Sequence, residues 1–290
     1  MLIVPTDASP WSLKASAADG VRRRIAASAS FGALIASTTR AHVTLPASAT
    51  AEALVDPAMV AEFRLQYPYE KPMDMVDYVK RVVPRAGNPQ KVLQAMEDFA
   101  SVYPMYACGR RKAGVLGRVL KEDRSKNLLE IGSFFGFSAL TLALAMPGDA
   151  HLTCLEGSEA NIEVMHAILQ HALESGSDVL KRVDIIAGLS SASIAAMPSS
   201  SALFDFVYFD HDKDCYLKDL KLLESNHLLA GRCTLVADNV IFPGAPDYLD
   251  YLSRNARWST HIEKMPFERK GFETQFKERE DGMSISKSAL

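Results

Sequence analysis

The sequence has 290 residues, of which 48% are hydrophobic, and its formal net charge is −3. This length is enough for one α/β domain of ordinary size with an extension. The charge gives no reason to expect nucleic acid or an anionic membrane as a partner, and no apolar run in the sequence is long enough to cross a bilayer. We expect a cytoplasmic monomer. Its four widely spaced cysteines, without a CxxC pair, predict reduced thiols.

The first 55 residues differ from the rest of the chain. They are rich in Ala, Ser and Thr, and Arg22, Arg23 and Arg24 form their charge cluster. This composition predicts a disordered extension over residues 1–55, followed by one domain over residues 56–290. An Arg- and Ser-rich, acid-poor segment is also typical of mitochondrial presequences, although the first residues carry no Arg. A mitochondrial location is therefore the alternative, if residues 1–50 act as a presequence.

A helical pattern begins after the extension. Apolar residues at helical spacing predict a helix over residues 73–83, and Asn88-Pro89 opens another, with Asn as cap and Pro in the first turn. A loop over residues 103–109 and a basic stretch, 110–112, lead to a helix predicted over residues 113–122.

Strands and helices then alternate, which is typical of a doubly wound parallel sheet. The predicted strands are 127–132, 151–156, 183–188, 204–210 and 233–238. The predicted helices are 138–145, 159–175, 191–196, 216–226 and 246–255. Residues 259–267 and 282–287 are predicted to be two further strands that close one edge of the sheet.

Two of these strands end in acids. Asp210 follows the apolar run 206–209, and Asp238 and Asn239 follow the run 233–237. Ligands bind outside the carboxyl ends of strands in open α/β sheets, so we expect these three side chains to meet. Their oxygen atoms are the ligands that Mg2+ prefers. Taken singly, an acid after a strand is usually a turn or helix-cap residue, and Asp-Asn is a common turn pair.

The first strand leads into a glycine-containing loop. Glu130 lies at the strand end, before Gly132 and Gly136, and the loop lacks the third glycine of the dinucleotide-binding pattern. A pyrophosphate would be repelled by Glu130, whereas an ammonium group would be attracted. Glu156, at the end of the next strand, lies where an acid contacts ribose hydroxyls. The combination favours S-adenosylmethionine over NAD.

Three stretches together resemble the catechol O-methyltransferase family: residues 129–138, 210–214 and 237–247, with the third the most specific. The resemblance covers residues 92–287. It implies a class I methyltransferase fold, with a seven-stranded Rossmann-like sheet, helices on both faces and extra N-terminal helices. It also implies Mg2+-dependent transfer of the methyl group of S-adenosylmethionine to one hydroxyl of a catechol.

The resemblance also implies a set of site residues. The Mg2+ ligands would be Asp210, Asp238 and Asn239, and the catalytic residues would be Lys213, as general base, and Glu268. The contacts to S-adenosylmethionine would be Glu130, Gly132, Phe134, Ser138, Glu156, Ser190, Asp210 and His211. The acceptor would lie against Tyr106, Asp212, Lys213, Asn239, Pro243 and Glu268.

The sequence departs from the family pattern around the acceptor. Asp212 replaces an aromatic residue, Pro104 replaces a tryptophan, and Tyr106 replaces a methionine. With Asp212, the stretch 210–213 also resembles the Asp-x-Asp-Lys loop of caffeoyl-CoA methyltransferases. Three alternatives therefore stay open: a cation-dependent methyltransferase acting on another class of phenol, an NAD-binding oxidoreductase, and a non-catalytic module that binds S-adenosylmethionine.

Overall fold

The computed structural model describes residues 57–198, 202–267 and 279–289. The extension predicted over residues 1–55 and the predicted substrate contact Glu268 lie outside the described residues. All other predicted site residues lie within them.

In the described part of the chain, four helices precede the first strand. They are α1 (Pro57–Gln66), α2 (Met73–Val82), α3 (Pro89–Val102) and α4 (Gly109–Asp123). Helix α3 begins as predicted: the Asn88 side chain accepts a hydrogen bond from the Lys91 amide at 3.1 Å, and Pro89 occupies the first turn. The prediction for α4 was wrong at its start, because the helix begins four residues earlier and includes the basic stretch 110–112.

Over residues 127–198, 202–267 and 279–289, the strands alternate with five further α-helices and form one seven-stranded sheet. The strands are β1 (Asn127–Ile131), β2 (His151–Glu156), β3 (Val183–Ala187), β4 (Phe204–Phe209), β5 (Leu229–Ala237), β6 (Trp258–Pro266) and β7 (Glu280–Ser288). The helices are α5 (Phe137–Ala145), α6 (Glu159–Leu173), α7 (Ser190–Ala196), α8 (Tyr216–Ser225) and α9 (Pro246–Arg254). The order across the sheet is β3-β2-β1-β4-β5-β7-β6, which confirms the predicted class I methyltransferase fold.

The first five strands run parallel, and β7 pairs antiparallel with β5 and β6. The two closing strands were therefore correctly predicted, although β7 begins at Glu280 and not at residue 282. Strand β5 begins at Leu229, earlier than predicted, because Leu229 already pairs with Phe204 before a bulge in the ladder.

The parallel register aligns the ends of β1, β4 and β5. The Asp210 amide donates to the carbonyl of Ile131, and the Asp238 amide donates to the carbonyl of Phe209, each at 2.9 Å. The chain therefore leaves these neighbouring strands at the same edge of the sheet. Both acids stand at that edge, as the apolar-run-then-acid pattern predicted.

Both faces of the sheet are covered. Leu128 and Phe206 pack into the core formed with α2 to α6, whereas Leu129 and Val207 pack into the opposite core with α8 and α9. Alternate residues of a strand point to opposite faces, so strands buried on both sides read as continuous apolar runs.

Candidate active site

The edge of the sheet holds the first half of the site, around Asp210. Asp210 Oδ1 lies 3.1 Å from Nζ of Lys213, and the Tyr208 hydroxyl donates to Asp210 Oδ2 at 3.1 Å. Lys213 also donates to the Tyr216 hydroxyl at 2.7 Å, and Tyr216 in turn donates to the carbonyl of Phe209 at 2.9 Å. The Lys213 amine is therefore fixed beside the carboxylate at the end of β4.

Asp238 and Asn239 stand at the end of the neighbouring strand. The Asn239 amide donates to Asp238 Oδ1 at 2.6 Å, and Asn239 has left-handed backbone angles, with φ of 56°. Asp238 is almost completely buried. The predicted ligand set is thus divided between β4 and β5, and it offers carboxylate and amide oxygens, the donors that suit a hard divalent cation.

Sequence reasoning missed two charged residues beside this set. Nζ of Lys112, on α4, lies 2.5 Å from Asp238 Oδ1 and 2.6 Å from Asp281 Oδ2. Asp281, on β7, also accepts a hydrogen bond from Nδ2 of Asn239 at 2.6 Å. A lysine on the apolar face of α4, four residues before Leu116 and seven before Val119, is the signal that could have revealed it.

The charges of this cluster balance one another only in part. Burial raises the pKa of Asp238 to about 6, and the ammonium of Lys112 opposes that rise. Burial alone would lower the pKa of Lys112, but Asp238 and Asp281 raise it above its usual value, so this side chain stays an ammonium. Two carboxylates thus share one buried cation.

Glu130 is the buried acid at the end of β1. Ser133 donates to its Oε2 at 2.9 Å, and the Cys154 thiol lies 3.3 Å from the same oxygen. Its other oxygen, Oε1, accepts no hydrogen bond of ordinary geometry within the described part of the chain, although Ser138 helps to stabilise the charged form. Burial raises the pKa of Glu130 from its usual 4.5 to about 7. A buried carboxylate oxygen that accepts no hydrogen bond of ordinary geometry from the described residues fits a ligand that brings an ammonium group.

The glycine loop passes close to the end of β4. At Gly132 φ is 88°, and a Cβ atom there would lie 2.8 Å from the carbonyl oxygen of Asp210 and from Cα of His211. Glu156, at the end of β2, accepts from the amide of Phe134 at 2.8 Å. The loop therefore needs glycine for its close approach, and Glu156 holds the loop's backbone.

A third polar cluster lies around Asp219, on α8. Nε2 of His211 lies 2.9 Å from Oδ2 of the fully buried Asp219, and the Ser191 hydroxyl donates to Asp219 Oδ1 at 2.5 Å. Burial by itself would raise the pKa of Asp219, but contacts with His211, Ser190 and Ser191 hold it below its usual value. The structure thus places Ser190 and His211, two of the predicted contacts to S-adenosylmethionine, around one carboxylate that sequence reasoning missed.

A cavity connects the edge of the sheet with the N-terminal helices. Its lining brings together five of the predicted residues: Tyr106, Gly132, Phe134, Ser138 and Asp210. The side chains of α2 and α3 that face it are apolar, Met75 and Met96 among them. The Tyr106 ring stands edge-on to that of Phe134, with 6.3 Å between the ring centroids, and Tyr106 is 50% exposed. The mouth of this cavity is therefore aromatic.

The remaining predicted acceptor contacts lie outside this cavity. Asp212 is exposed and accepts a hydrogen bond from the Asp214 amide at 3.2 Å, and Pro243 is exposed in the turn before α9. Lys213 lines a neighbouring groove with Pro246 and Tyr248. The structure therefore brings the predicted metal and base positions next to predicted donor contacts, and it leaves the predicted acceptor contacts Asp212 and Pro243 at the surface around them.

Within residues 57–198, 202–267 and 279–289, no group of three or more His, Cys, Asp or Glu side chains is arranged to hold a metal ion. The predicted set differs in that it joins two carboxylates to one amide. In the same ranges, no helix is long and apolar enough to cross a membrane.

The strand order, and a buried acid and glycine loop after the first strand, define a class I methyltransferase fold. Comparison with known proteins refines this class. The sequence profile of a family described as "O-methyltransferase" matches residues 90–263. The chain belongs to this O-methyltransferase family.

Individual relatives agree with that assignment. Catechol O-methyltransferase of Bos taurus is 36% identical over 178 residues, which cover 60% of this chain and 63% of the bovine protein. Catechol O-methyltransferase B of Danio rerio is 34% identical over 191 residues, 64% of this chain and 69% of the fish protein. The match thus spans somewhat less than two thirds of the bovine relative.

A solved structure supports the fold. The O-methyltransferase of Bacillus cereus, in complex with SAH, superposes with a TM-score of 0.56 at 16% identity, over 80% of this chain and 97% of that chain.

Proposed function

We propose that this protein transfers the methyl group of S-adenosylmethionine to one hydroxyl of a catechol, with the assistance of Mg2+. The observation that carries the proposal is the meeting of Asp210, Lys213, Asp238 and Asn239 at the ends of two adjacent strands, beside a cavity whose lining includes Ser133, a hydrogen-bond donor to the buried Glu130. The identity to catechol O-methyltransferases supports the choice of acceptor.

The residues fit the two groups that the reaction requires. Asp210, Asp238 and Asn239 would hold Mg2+ through oxygen atoms. Glu130 would accept hydrogen bonds from the ammonium group of the methyl donor, and Glu156 would accept hydrogen bonds from its ribose hydroxyls. When bound, S-adenosylmethionine supplies an activated methyl group, and Mg2+ stabilises the phenolate form of the acceptor.

The chain's own residues would contribute position and proton transfer. Lys213, in its neutral form, would take the proton of the reacting hydroxyl, and the hydrogen bond to Tyr216 fixes where its amine stands. Met75 and Met96 would keep water from the cavity, and the glycine loop would set the position of the donor. Much of the rate would come from holding the acceptor oxygen in line with the methyl group. Glu268 would hold the second hydroxyl.

A second acceptor class is favoured by one observation. Asp212 is exposed at the edge of the site, where the catechol family has an aromatic residue. An acid at this place suits a phenol whose remainder is larger or more polar than a simple catechol, as the resemblance to caffeoyl-CoA methyltransferases implies.

A screen of phenols with an isotopically labelled methyl donor tests both candidates. The purified protein is assayed with catechols, the matching monophenols and caffeoyl thioesters, each with and without Mg2+. We expect labelled product from catechols only when Mg2+ is present. Product from the thioester alone would favour the second candidate. The absence of product from all acceptors, with the donor still bound, would favour a non-catalytic binding module.

A further inference from the structure

A buried lysine on α4 contacts one of the proposed metal ligands. Lys112 is 5% exposed and shares the inward face of α4 with Leu116 and Val119. Its Nζ atom bridges Asp238, immediately after β5, and Asp281 on β7. A buried ammonium is costly unless it is paired and hydrogen-bonded. The pair of carboxylates is therefore what holds Lys112 in place, and Lys112 in turn holds them.

Asp281 occupies the centre of this cluster. Its Oδ1 accepts from the amides of Gly282 at 2.7 Å and Phe242 at 3.1 Å, and its Oδ2 faces both Lys112 and the side-chain amide of Asn239. Both oxygens thus have fixed donors. A carboxylate anchored in this way has one orientation, and it acts as a fixed acceptor for Asn239.

The contact with Asp281 decides which way the Asn239 amide points. An asparagine side chain has one oxygen and one NH2 group, and only the oxygen can bind a cation. Asp281 accepts from the NH2 group at 2.6 Å, so the amide oxygen is turned to the opposite side. Lys112 meanwhile contacts Asp238 Oδ1, the same oxygen that accepts from the backbone amide of Asn239, which leaves Oδ2 for a metal.

We infer that the Lys112–Asp281 pair is a positioning device for the metal ligands: it sets the orientation of Asn239 and Asp238 before a divalent cation binds. The inference rests on the proposed function, because it presumes that these ligands hold Mg2+. Neither residue would contact the reacting atoms. Groups that orient metal ligands commonly change metal affinity by about 10- to 100-fold when they are removed.

The test measures metal affinity directly, with Mn2+ as a paramagnetic probe of the Mg2+ site. Free Mn2+ is measured by electron paramagnetic resonance in titrations of the full chain, and S-adenosylmethionine affinity is measured by calorimetry. Asp281→Asn keeps the shape of the side chain but places a second NH2 group near that of Asn239. We expect Mn2+ to bind about tenfold more weakly or worse, with donor affinity within about threefold of wild type.

The chain offers a matched control and a second variant. Lys287 on β7 pairs with Asp123 on α4 at 2.6 Å, so Lys287→Met removes another link between the same two elements, away from the site. It should leave Mn2+ affinity unchanged. The double variant Lys112→Gln/Asp281→Asn removes one charge of each sign, so the net charge of the cluster stays the same. It should weaken Mn2+ binding as the single variant does. It replaces Asp281→Asn in the test if that single variant does not fold.

Turnover provides a further distinction. A positioning role predicts that the variants need more Mg2+ for half-maximal rate and recover much of kcat when Mg2+ is raised. If a folded variant binds Mn2+ as tightly as wild type, the inference is overturned, whereas the proposed function is not. Tighter Mn2+ binding by the variants would also overturn it, because it would mean that Lys112 competes with the cation. An equal loss of Mn2+ affinity and donor affinity would overturn it as well. If the wild-type chain binds no Mn2+, both the inference and the metal part of the proposed function fail.

Discussion

The pKa of Glu130 leads to a quantitative prediction for donor binding. Burial raises this pKa from 4.5 to about 7, because the carboxylate loses its hydration at the end of β1. A donor that brings an ammonium group needs the charged carboxylate, so binding must release the proton wherever Glu130 is protonated. Donor affinity should therefore rise with pH, and proton release should fall.

The size of the effect follows from the titration. With a pKa near 7, about one carboxyl in eleven is charged at pH 6 and about half are charged at pH 7, so the dissociation constant should fall about fivefold between these two values. The measurements stop at pH 7, because above this pH the amino group of the donor begins to lose its own proton. The titrations are done without divalent cations, because the charge of Asp210, a proposed metal ligand, is one of the causes that raise the pKa of Glu130.

Calorimetry in two buffers of different ionisation enthalpy measures both quantities. Wild type should release close to one proton per donor at pH 6 and about half a proton at pH 7. Glu130→Gln should bind more weakly and show neither effect. Affinity that is flat or that falls over this range, or proton release retained by Glu130→Gln, would refute the assignment of Glu130 as the ammonium acceptor.

Three further predictions concern the loop, the extension and the acceptor. Gly132→Ala should lower the free energy of unfolding by about 2–4 kcal/mol in denaturant titrations and abolish donor binding, because its Cβ would lie 2.8 Å from backbone atoms of Asp210 and His211; wild-type stability would contradict the close approach. Deletion of residues 1–50, which lack a periodic apolar face, should leave melting temperature and turnover nearly unchanged, and a large fall in melting temperature would show that they pack on the domain. Asp212→Trp should reduce kcat/KM for catechols with cationic side chains relative to neutral ones, and an unchanged ratio would remove Asp212 from acceptor selection.

The sheet and the acids at its edge could be predicted from sequence because they depend on local patterns. An apolar run that ends in an acid predicts both a doubly covered strand and a polar edge, and the register then brings Asp210 and Asp238 together. Glu130 and its loop were found in the same way, from the order of residues after β1.

Lys112 and Asp281 could not be predicted so easily, because each lies at the start of an element whose beginning carries no clear signal. Helix α4 begins after Cys108, which forms no side-chain cap, so the basic stretch appeared to precede the helix. Asp281 is buried only because β7 pairs with β6 and β5, a non-local arrangement. Asp219 was missed for a similar reason: its partners His211 and Ser191 belong to other parts of the chain.

The proposed function requires that the chain methylates a catechol with the help of a metal held at the ends of β4 and β5. The most direct measurement compares kcat/KM for a catechol and for the matching monophenol, with Mg2+ and with excess chelator. One metal must bind two vicinal oxygens, so the monophenol should react at least about a hundredfold more slowly, and chelator should abolish turnover of the catechol while donor binding persists. Asp238→Ala should reproduce the effect of chelator. Equal rates for the two acceptors, or full activity in chelator, would contradict the account.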